Sequence, residues 1–246
     1  MLEGAGIRVP PGTLATSGEE GEAFLQRWGD IVVKPARGEA GAGVTVGVVD
    51  PAGLREARAF AAAVHPEVLL EQRCPGTDLR VLVIGDEVVA ASVREPPTVS
   101  GDGRRTVAEL IDELSRVRSA ATGGTSWVPL DATTRAVVGA AGWAIDSVLP
   151  EGVAVHARRT ANLHTGGAIR DVTDELSPAL AEVALAAARA IEIPVLGLDL
   201  IVPAVDGSRY VVIEANEQPG LANHEPRPTA SRFVDLLFPE TRASDR

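Results

Sequence analysis

The sequence predicts an α+β fold in which antiparallel β-hairpins pack against helices. Three observations predict it. Apolar runs rich in β-branched residues come in pairs, and a short glycine-containing turn joins each pair, as at Gly85 and Gly207. Segments with apolar residues at helical spacing separate the pairs. The chain has 246 residues, 45% of them hydrophobic, which suffices for one large domain or two small lobes.

The first third of the chain alternates between helix and strand. The predicted elements are, in order, a helix end at 1–10, a helix at 18–28, strands at 30–36 and 43–49, a helix at 50–64 and a strand at 67–74. A short glycine-rich connection joins the first two strands, which indicates a hairpin. An aspartate followed by proline at position 51 is typical of a helix start.

The rest of the chain continues the same pattern, with one interruption. The predicted elements are a hairpin at 79–95, a helix at 106–121, a long apolar helix at 177–193 and a hairpin at 195–216. Residues 121–155 contain glycine and proline without clear periodicity, so we expect an irregular insertion or lid rather than core. Runs of strands and helices in this order are typical of an α+β domain.

Composition excludes several classes of protein. The net charge is −11 and the pI is about 4.9, whereas a nucleic-acid binder needs a basic face. The apolar segments are short and interrupted by charge, so we expect no membrane partner. The first residues lack the basic and apolar regions of a signal peptide. With a single cysteine, Cys74, no internal disulfide can form, and a cytoplasmic location is expected.

The only lysine of the chain precedes a glycine-rich connection. Lys34 ends a β-branched run, and Gly38, Gly41, Gly43 and Gly47 follow it. Backbone N–H groups of such a loop can surround phosphates, and a neighbouring ammonium can add a point charge. The loop is neither a Walker A motif, because no Gly-Lys-Ser/Thr follows, nor a Rossmann fingerprint, because a strand follows. A flexible hairpin beside a surface lysine is an equal alternative.

Three oxygen-bearing side chains lie on the last predicted hairpin. Asp199 is on one strand, and Glu214 and Asn216, two residues apart, share a face of the other. Acidic groups inside apolar runs need a compensating partner. Mg²⁺ prefers one or two carboxylates together with phosphate oxygens and water. The pattern therefore predicts a magnesium site, with polar residues that merely cap a turn as the alternative.

A phosphate loop, a lysine and a metal site together indicate a nucleoside triphosphate site. The stretches VVKPARGEAGAGV, LLEQRCPGTDLRVLVI, TANLHTGG, GLDLIVP and IEANEQPGLANHEP, in this order, resemble the ATP-grasp superfamily. GDGRRTVAELI is similar to the cyanophycin synthetase and bifunctional glutathione synthetase branch. PLDATTRAVVGAAGWAIDSVLPEG and RFVDLLFPET resemble the ATP-grasp half of the N-acetylglutaminylglutamine synthetase family. The resemblance covers residues 5–241.

The resemblance implies a fold of two α+β lobes with antiparallel sheets that clasp ATP between them. It implies a small lobe at 1–74, a large lobe at 75–241 with a lid or substrate insertion at 100–167, and a disordered tail at 242–246. It also implies ATP-binding residues, which are Lys34, Gly38, Gly41, Gly43, Glu71, Gln72, Arg73 and Asp78. In this assignment residues 71–73 form the hinge that reads adenine, and Asp78 holds the ribose. Asp199, Glu214 and Asn216 hold two Mg²⁺ ions, for which Mn²⁺ can substitute.

The implied reaction is ATP-dependent formation of an amide bond through an acyl phosphate. The candidate catalytic residues are Arg80, Arg94, Arg159 and Asn162, with Arg158 and His164 beside them. Arginine suits carboxylate and phosphoryl oxygens, although exposed arginine is most often a plain surface charge. The expected substrates are amino acids or N-acyl amino acids, here an acetylated glutamine and glutamine.

Departures from the family pattern leave other readings open. The domain and first ATP-binding lysine that precede this region in complete ligases are not in the sequence, and Gln218 replaces a usual arginine. The chain can therefore be a ligase, alone or with a separate N-terminal domain or a second copy as its partner. It can also be a nucleotide-binding module that is inactive alone, or a phosphotransferase.

Overall fold

The computed structural model describes residues 1–38, 41–219, 227 and 229–241. The helices are α1 (Gly18–Trp28), α2 (Pro51–Ala62), α3 (Val107–Ala121), α4 (Ala132–Ala140), α5 (Pro178–Ile191) and α6 (Ala230–Leu237). The strands are β1 (Gly12–Leu14), β2 (Ile31–Pro35), β3 (Thr45–Val48), β4 (Val68–Gln72), β5 (Thr77–Ile84), β6 (Glu87–Glu95), β7 (Thr98–Ser100), β8 (Ala154–His156), β9 (Ala168–Asp171), β10 (Val195–Val202) and β11 (Val211–Asn216). The prediction of an α+β fold with antiparallel hairpins is confirmed.

A four-stranded antiparallel sheet forms the N-terminal part, in the order β1-β4-β2-β3. Alternation along β2 decides which face is buried. Ile31 and Val33 are fully buried in a cluster with residues of α1 and α2, whereas Lys34 lies on the opposite face. The hydroxyl of Ser17 caps α1, and the carboxylate of Asp50 caps α2 at the two positions that the sequence indicates.

A five-stranded antiparallel sheet follows, in the order β11-β10-β5-β6-β9. One of its faces is apolar and packs against α5, the long helix predicted from the apolar periodicity. Leu79, Val81, Leu198 and Leu200 are fully buried on this face. The residues that alternate with them lie on the other face, so the pleat separates the hydrophobic core from a row of polar side chains.

The expectation of an irregular insertion at 121–155 is wrong in part, because 122–131 and 141–153 are irregular but the segment contains a helix and contributes to a hydrophobic core. Residues 132–140 form α4, and β7 pairs with β8 beside it. These elements and α3 share a hydrophobic core that includes Val99, Ile111 and Leu149. The segment was hard to recognise because α4 is rich in alanine, threonine and glycine and has only two buried positions, Thr134 and Val138.

Smaller differences from the sequence predictions concern the start of the chain and the shortest strands. The predicted helix end in residues 1–10 is a single 3₁₀ turn at Glu3–Ala5, closed by Gly6 with a positive φ of 75°. The short strands β1, β7, β8 and β9 were not predicted, because three or four residues carry too little alternation. None of the helices in the described residues is long and apolar enough to cross a membrane. The predicted tail 242–246 lies outside the described residues.

Candidate functional site

Polar side chains from four adjacent strands meet on the face of the large sheet that does not pack against α5. The strand pairing puts Asp78 opposite Arg94, Arg80 opposite Asp199, and Asp199 opposite Glu214. Residues that pair across an antiparallel sheet share a face. We call this set the polar sheet face, and its members are Asp78, Arg80, Ser92, Arg94, Asp199, Glu214 and Asn216.

Arg80 and Asp199 form a buried bidentate ion pair at the centre of the polar sheet face. Arg80 Nε donates to Asp199 Oδ1 at 2.5 Å and Nη2 to Oδ2 at 2.7 Å, and both side chains are at most 7% exposed. Asn216 Nδ2 donates to Asp199 Oδ2 at 3.2 Å, and Arg94 Nη1 lies 3.8 Å from Oδ1. Asp199, the predicted metal ligand, is thus already bound by a predicted catalytic arginine.

Two further carboxyl groups on this face lack such compensation. Burial, and then the nearby Asp199 carboxylate, raise the pKa of Asp78 to about 6. The same two causes, in the same order, raise the pKa of Glu214. Asp78 Oδ1 and Arg94 Nε are buried without a hydrogen-bond partner. Asp78 is partly buried and Glu214 is exposed, so it is the buried, unpartnered Oδ1 of Asp78 that indicates an unmet demand for a polar or cationic partner.

This donor set fits a divalent cation chemically, but it is not arranged as a finished metal site. Among the described residues, no three His, Cys, Asp or Glu side chains are grouped closely enough to hold an ion. Asn216 offers a further amide oxygen on this face, and the Asp199 carboxylate is turned toward Arg80. A cation would have to share Asp199 with the guanidinium and complete its shell with oxygens from a ligand or water.

Lys34 lies on the small sheet, where its ammonium pairs with a carboxylate. Lys34 Nζ is 2.7 Å from Glu71 Oε2, with 23% and 13% of the two side chains exposed. The Lys34 charge also reaches the large sheet, because it is one of the cations that lower the pKa of Glu214 against the effects of burial and Asp199. The lysine and a predicted metal ligand therefore interact electrostatically although they belong to different sheets.

The glycines before β3 make close backbone packing possible. Gly43 has a φ of 72°, and a Cβ there would lie 3.0 Å from Val64 and 3.2 Å from Ala61 of the α2 region. Gly41 also has a positive φ, and a Cβ at Gly38 would lie 3.2 Å from Pro35. Glu39 and Ala40, in the middle of the predicted phosphate loop, lie outside the described residues.

The predicted adenine hinge has both of its named backbone donors in use. The N–H of Gln72 donates to Pro11 O at 2.9 Å, and the N–H of Arg73 donates to Asp30 O at 3.1 Å. The Arg73 side chain also pairs with Asp30 at 2.8 Å. An adenine at this hinge would therefore not be read by those two N–H groups. Burial, and then Glu71, raise the pKa of Cys74, which makes its thiol less reactive.

The segment 158–164 holds four predicted substrate residues in different surroundings. Arg158 is buried and pairs with Asp131, the N-cap of α4, at 2.7 Å, so it stabilises the insertion instead of facing a ligand. Arg159 is exposed and donates to Val46 O of β3 at 3.3 Å. The side chain of Asn162 accepts a hydrogen bond from the His164 N–H at 2.9 Å. His224, in the stretch IEANEQPGLANHEP, lies outside the described residues.

Sequence reasoning did not predict which side chains pair across distant segments. Asp131 could have been recognised as a helix N-cap before Ala-Thr-Thr, but its buried partner Arg158 has no local signal. Two cavities of about 520 and 430 Å³ lie elsewhere, the first beside Arg170 and Glu175 and the second beside Arg58. Neither is lined by the polar sheet face.

Comparison with known proteins shows which sequences this chain is similar to. Residues 151–229 match the RimK-like ATP-grasp domain. The chain is 33% identical to cyanophycin synthetase of a Nostoc species, over 99% of this chain and 29% of that protein. It is 30% identical to the glutathione biosynthesis bifunctional protein of Streptococcus thermophilus, over 98% of this chain and 34% of that protein. The chain thus spans about a third of the length of these curated relatives.

Solved structures agree with the sequence comparison. A bifunctional glutathione synthetase from Pasteurella multocida superposes with a TM-score of 0.63 at 29% identity, over 97% of this chain and 35% of that one. D-alanine–D-alanine ligase from Bacillus anthracis superposes with a TM-score of 0.57 over 96% of this chain and 62% of that one. At 16% identity the second likeness concerns the fold alone.

Proposed function

From the ATP-grasp fold of this chain and its RimK-like ATP-grasp domain, we propose that it is an ATP-dependent carboxylate–amine ligase. The observation that carries the proposal is the polar sheet face, on which the strand register gathers Asp78, Arg80, Arg94, Asp199 and Glu214. Asp78 Oδ1 and Arg94 Nε are buried there without a hydrogen-bond partner, and Lys34, the only lysine of the chain, is on the small sheet. A polyphosphate with a divalent cation between the sheets would bring both kinds of charge that these groups need.

We propose that Lys34 binds the phosphates of ATP, with the backbone at Gly38, Gly41 and Gly43 around them. Binding would replace the ion pair of Lys34 with Glu71, which is partly exposed and therefore weakly stabilising. Asp78, whose Oδ1 lacks a partner, would accept a hydrogen bond from a ribose hydroxyl. In the hinge Glu71–Arg73, adenine would meet carbonyl groups.

We propose that two Mg²⁺ ions bind on the polar sheet face, held by Asp199, Glu214 and Asn216. Mn²⁺ would suit the same oxygen donors. The bound ion supplies charge neutralisation between phosphate oxygens. Arg80 orients the Asp199 carboxylate through its bidentate bonds. Arg94, whose Nε is buried without a partner, is the guanidinium best placed to receive a carboxylate or phosphoryl oxygen.

In the proposed reaction, a carboxylate oxygen of the acid substrate attacks the γ-phosphorus of ATP and ADP leaves. The amine nitrogen of the second substrate then attacks the acyl carbon, phosphate leaves, and the amine loses a proton. Water must be kept away from the acyl phosphate. The compact insertion built from α3, α4, β7 and β8, next to Arg159 and Asn162, is the part of the chain that we propose for this role.

The proposed substrates are amino acids, N-acyl amino acids or short peptides. This inference draws on relatives named for cyanophycin and glutathione synthesis, and our specific candidate pair is N-acetylglutamine with glutamine. A lobe division at residues 74 and 75 accompanies the proposal. The single cysteine also fits a reducing compartment such as the cytoplasm.

A second candidate is a nucleotide-binding module that needs another domain or a second copy for turnover. It is favoured by one observation, namely that the chain covers only 29% and 34% of two curated relatives. In this version the same residues bind Mg·ATP, but the acid or amine site is completed by a partner.

Phosphate release in the presence of ATP and Mg²⁺ tests the ligase. We expect release that requires both an acid and an amine when amino acids and N-acyl amino acids are screened in pairs. ATP binding without ADP formation under any mixture would favour the inactive module. A phosphorylated product that forms without any amine would instead indicate a phosphotransferase.

A further inference from the structure

We propose that Arg159 is a positioning residue that fastens β3 of the small sheet to the insertion, and not a group that acts on the substrate. Its guanidinium donates to the carbonyl of Val46, 113 residues away in the chain, at 3.3 Å. Because β3 directly follows the glycine-rich connection, this bond ties the proposed phosphate loop to the segment that carries Asn162. The proposal deepens the proposed function, and it rests on that function only for its consequence in catalysis.

The backbone of β3 is shaped for this contact. The pairing of β2 with β3 shifts between Ile31 and Val32, so Gly47 is an extra, bulged residue of β3. Its φ is +81°, and a Cβ there would lie 2.8 Å from Arg159 Nη1. The backbone conformation therefore favours glycine, and a Cβ would displace the guanidinium that lies against it. Bulges of this kind are typical of strands that bend next to a functional site.

The base of Arg159 is held firmly on the other side. The preceding residue, Arg158, is buried and paired with Asp131 at 2.7 Å, and Ala157 N–H donates to Pro97 O at 2.8 Å. An exposed arginine whose backbone is fixed loses less freedom when it forms a bond. The contact thus joins an anchored segment to the outer edge of the small sheet, where β3 has β2 as its neighbour in the sheet.

The charge around Gly47 argues that this contact is not a simple surface ion pair. Arg73 Nη1 lies 3.9 Å from the same Cβ position, so two guanidinium groups approach one glycine. Arg73 is neutralised by Asp30, whereas the acceptor described for Arg159 is a backbone carbonyl. Two cations that converge on an edge strand beside the hinge are expected to hold β3 most firmly when an anionic nucleotide is bound.

Hydrogen exchange on the ligand-free chain tests the contact itself. In Arg159→Ala we expect the amides of β3 to exchange roughly threefold to tenfold faster, which corresponds to the loss of one ordinary, solvent-exposed hydrogen bond. Arg159→Lys should show an intermediate increase. Arg189→Ala, which removes an exposed arginine paired with Glu182 on α5, is the matched control and should leave β3 unchanged. Equal exchange in wild type and Arg159→Ala would overturn the proposal.

A double-mutant cycle gives a second, independent test. Gly47→Ala should lower the melting temperature because of its φ and because its Cβ would meet the guanidinium. If the contact exists, this decrease is smaller in the Arg159→Ala background, where only the backbone strain remains. Strictly additive decreases would contradict it.

The consequence for function is measured separately. If the ligase proposal holds, Arg159→Ala should raise the KM for ATP by roughly threefold to tenfold while kcat with saturating ATP changes less. A large loss of kcat with unchanged KM would mean that Arg159 acts on the reacting groups. A wild-type chain that binds no nucleotide would defeat the proposed function, while the exchange result would still decide whether the contact exists.

Discussion

The charged pairs on the two sheets differ in burial and in the number of contacts between the partners. On the large sheet, Arg80 and Asp199 are bound bidentately and are at most 7% exposed. On the small sheet, Lys34 and Glu71 make a single contact at 2.7 Å and keep 23% and 13% of their side chains exposed. The first pair is a fixed part of the core, whereas the second can exchange its partner for a ligand at little cost.

This difference separates residues that shape the site from residues that are free to bind. A buried guanidinium that is bound to both oxygens of a carboxylate orients that carboxylate but has little capacity for a new anion. A partly exposed ammonium with a single partner keeps that capacity. We therefore expect mutations on the polar sheet face to affect folding first, and mutations at Lys34 to affect ligand binding first.

The largest effect is expected for Arg80→Ala. This change leaves Asp199 buried without its main partner, so the free energy of unfolding should fall by about 3–5 kcal/mol. Denaturant unfolding followed by circular dichroism measures it. Lys34→Ala is the matched comparison and should cost at most about 1 kcal/mol. Equal costs for the two variants would remove the distinction between the sheets.

The next effect is a pH dependence that arises from Asp78. Its pKa is raised from 3.8 in an ordinary aspartate to about 6 in the folded chain. Its contribution to stability is therefore fully present below about pH 4 and is lost as the pH rises through about 6. Asp78→Asn should remove this dependence and, near pH 7.5, stabilise the chain by about 2 kcal/mol. Melting temperatures between pH 4.5 and 8 would show it.

The matched control for that pH series is Asp86→Asn at the exposed turn between β5 and β6. It should leave the pH profile of wild type unchanged. A profile that Asp78→Asn also leaves unchanged would mean that this carboxyl is well solvated and is not part of a charge-deficient surface.

An intermediate effect is expected for Arg158→Ala. Arg158 is 9% exposed, but its partner Asp131 is 48% exposed and can be solvated when the guanidinium is lost. The cost should be about 1–2 kcal/mol, between those of the two sheets, and Arg158→Lys should recover part of it. Loss of protection confined to α4 and β8 in hydrogen exchange would identify the insertion as the affected unit. A cost as large as that of Arg80→Ala would mean that burial of one partner alone decides the energy.

The smallest effect is the coupling between Lys34 and Glu71, which are both partly exposed. A double-mutant cycle of Lys34→Ala and Glu71→Gln should give an interaction energy of about 0.2–1 kcal/mol that decreases in high salt. The corresponding cycle of Arg80→Ala and Asp199→Asn should give several times more. A strong, salt-independent coupling of Lys34 with Glu71 would mean that the lysine has a structural role.

Much of the fold was readable from local patterns. The hairpin of β5 with β6 and the helix α5 have clear periods and capping residues, and the structure confirms both. The insertion was misread because α4 lacks an apolar stripe, and its core uses residues as distant as Val99 and Val155. Such contacts have no signature within a short stretch of sequence.

The residues of the candidate site were likewise indicated by local patterns, whereas their distant partners were not. Residue types and their spacing indicated Asp199, Glu214 and Asn216, and the β10–β11 register does put all three on one face. The partner of Asp199 could not be predicted, because Arg80 lies 119 residues earlier and meets it only through the pairing of β5 with β10. Register between distant strands depends on the whole sheet rather than on either sequence segment.

The central claim, that one polyphosphate bridges Lys34 and the polar sheet face, is tested most directly by calorimetric titration of the chain with ADP, with and without Mg²⁺. We predict binding that requires Mg²⁺ and that becomes roughly tenfold or more weaker in both Lys34→Ala and Glu214→Gln, with melting curves like that of wild type for Lys34→Ala. Mg²⁺-independent binding, or affinities unchanged by both substitutions, would contradict the claim.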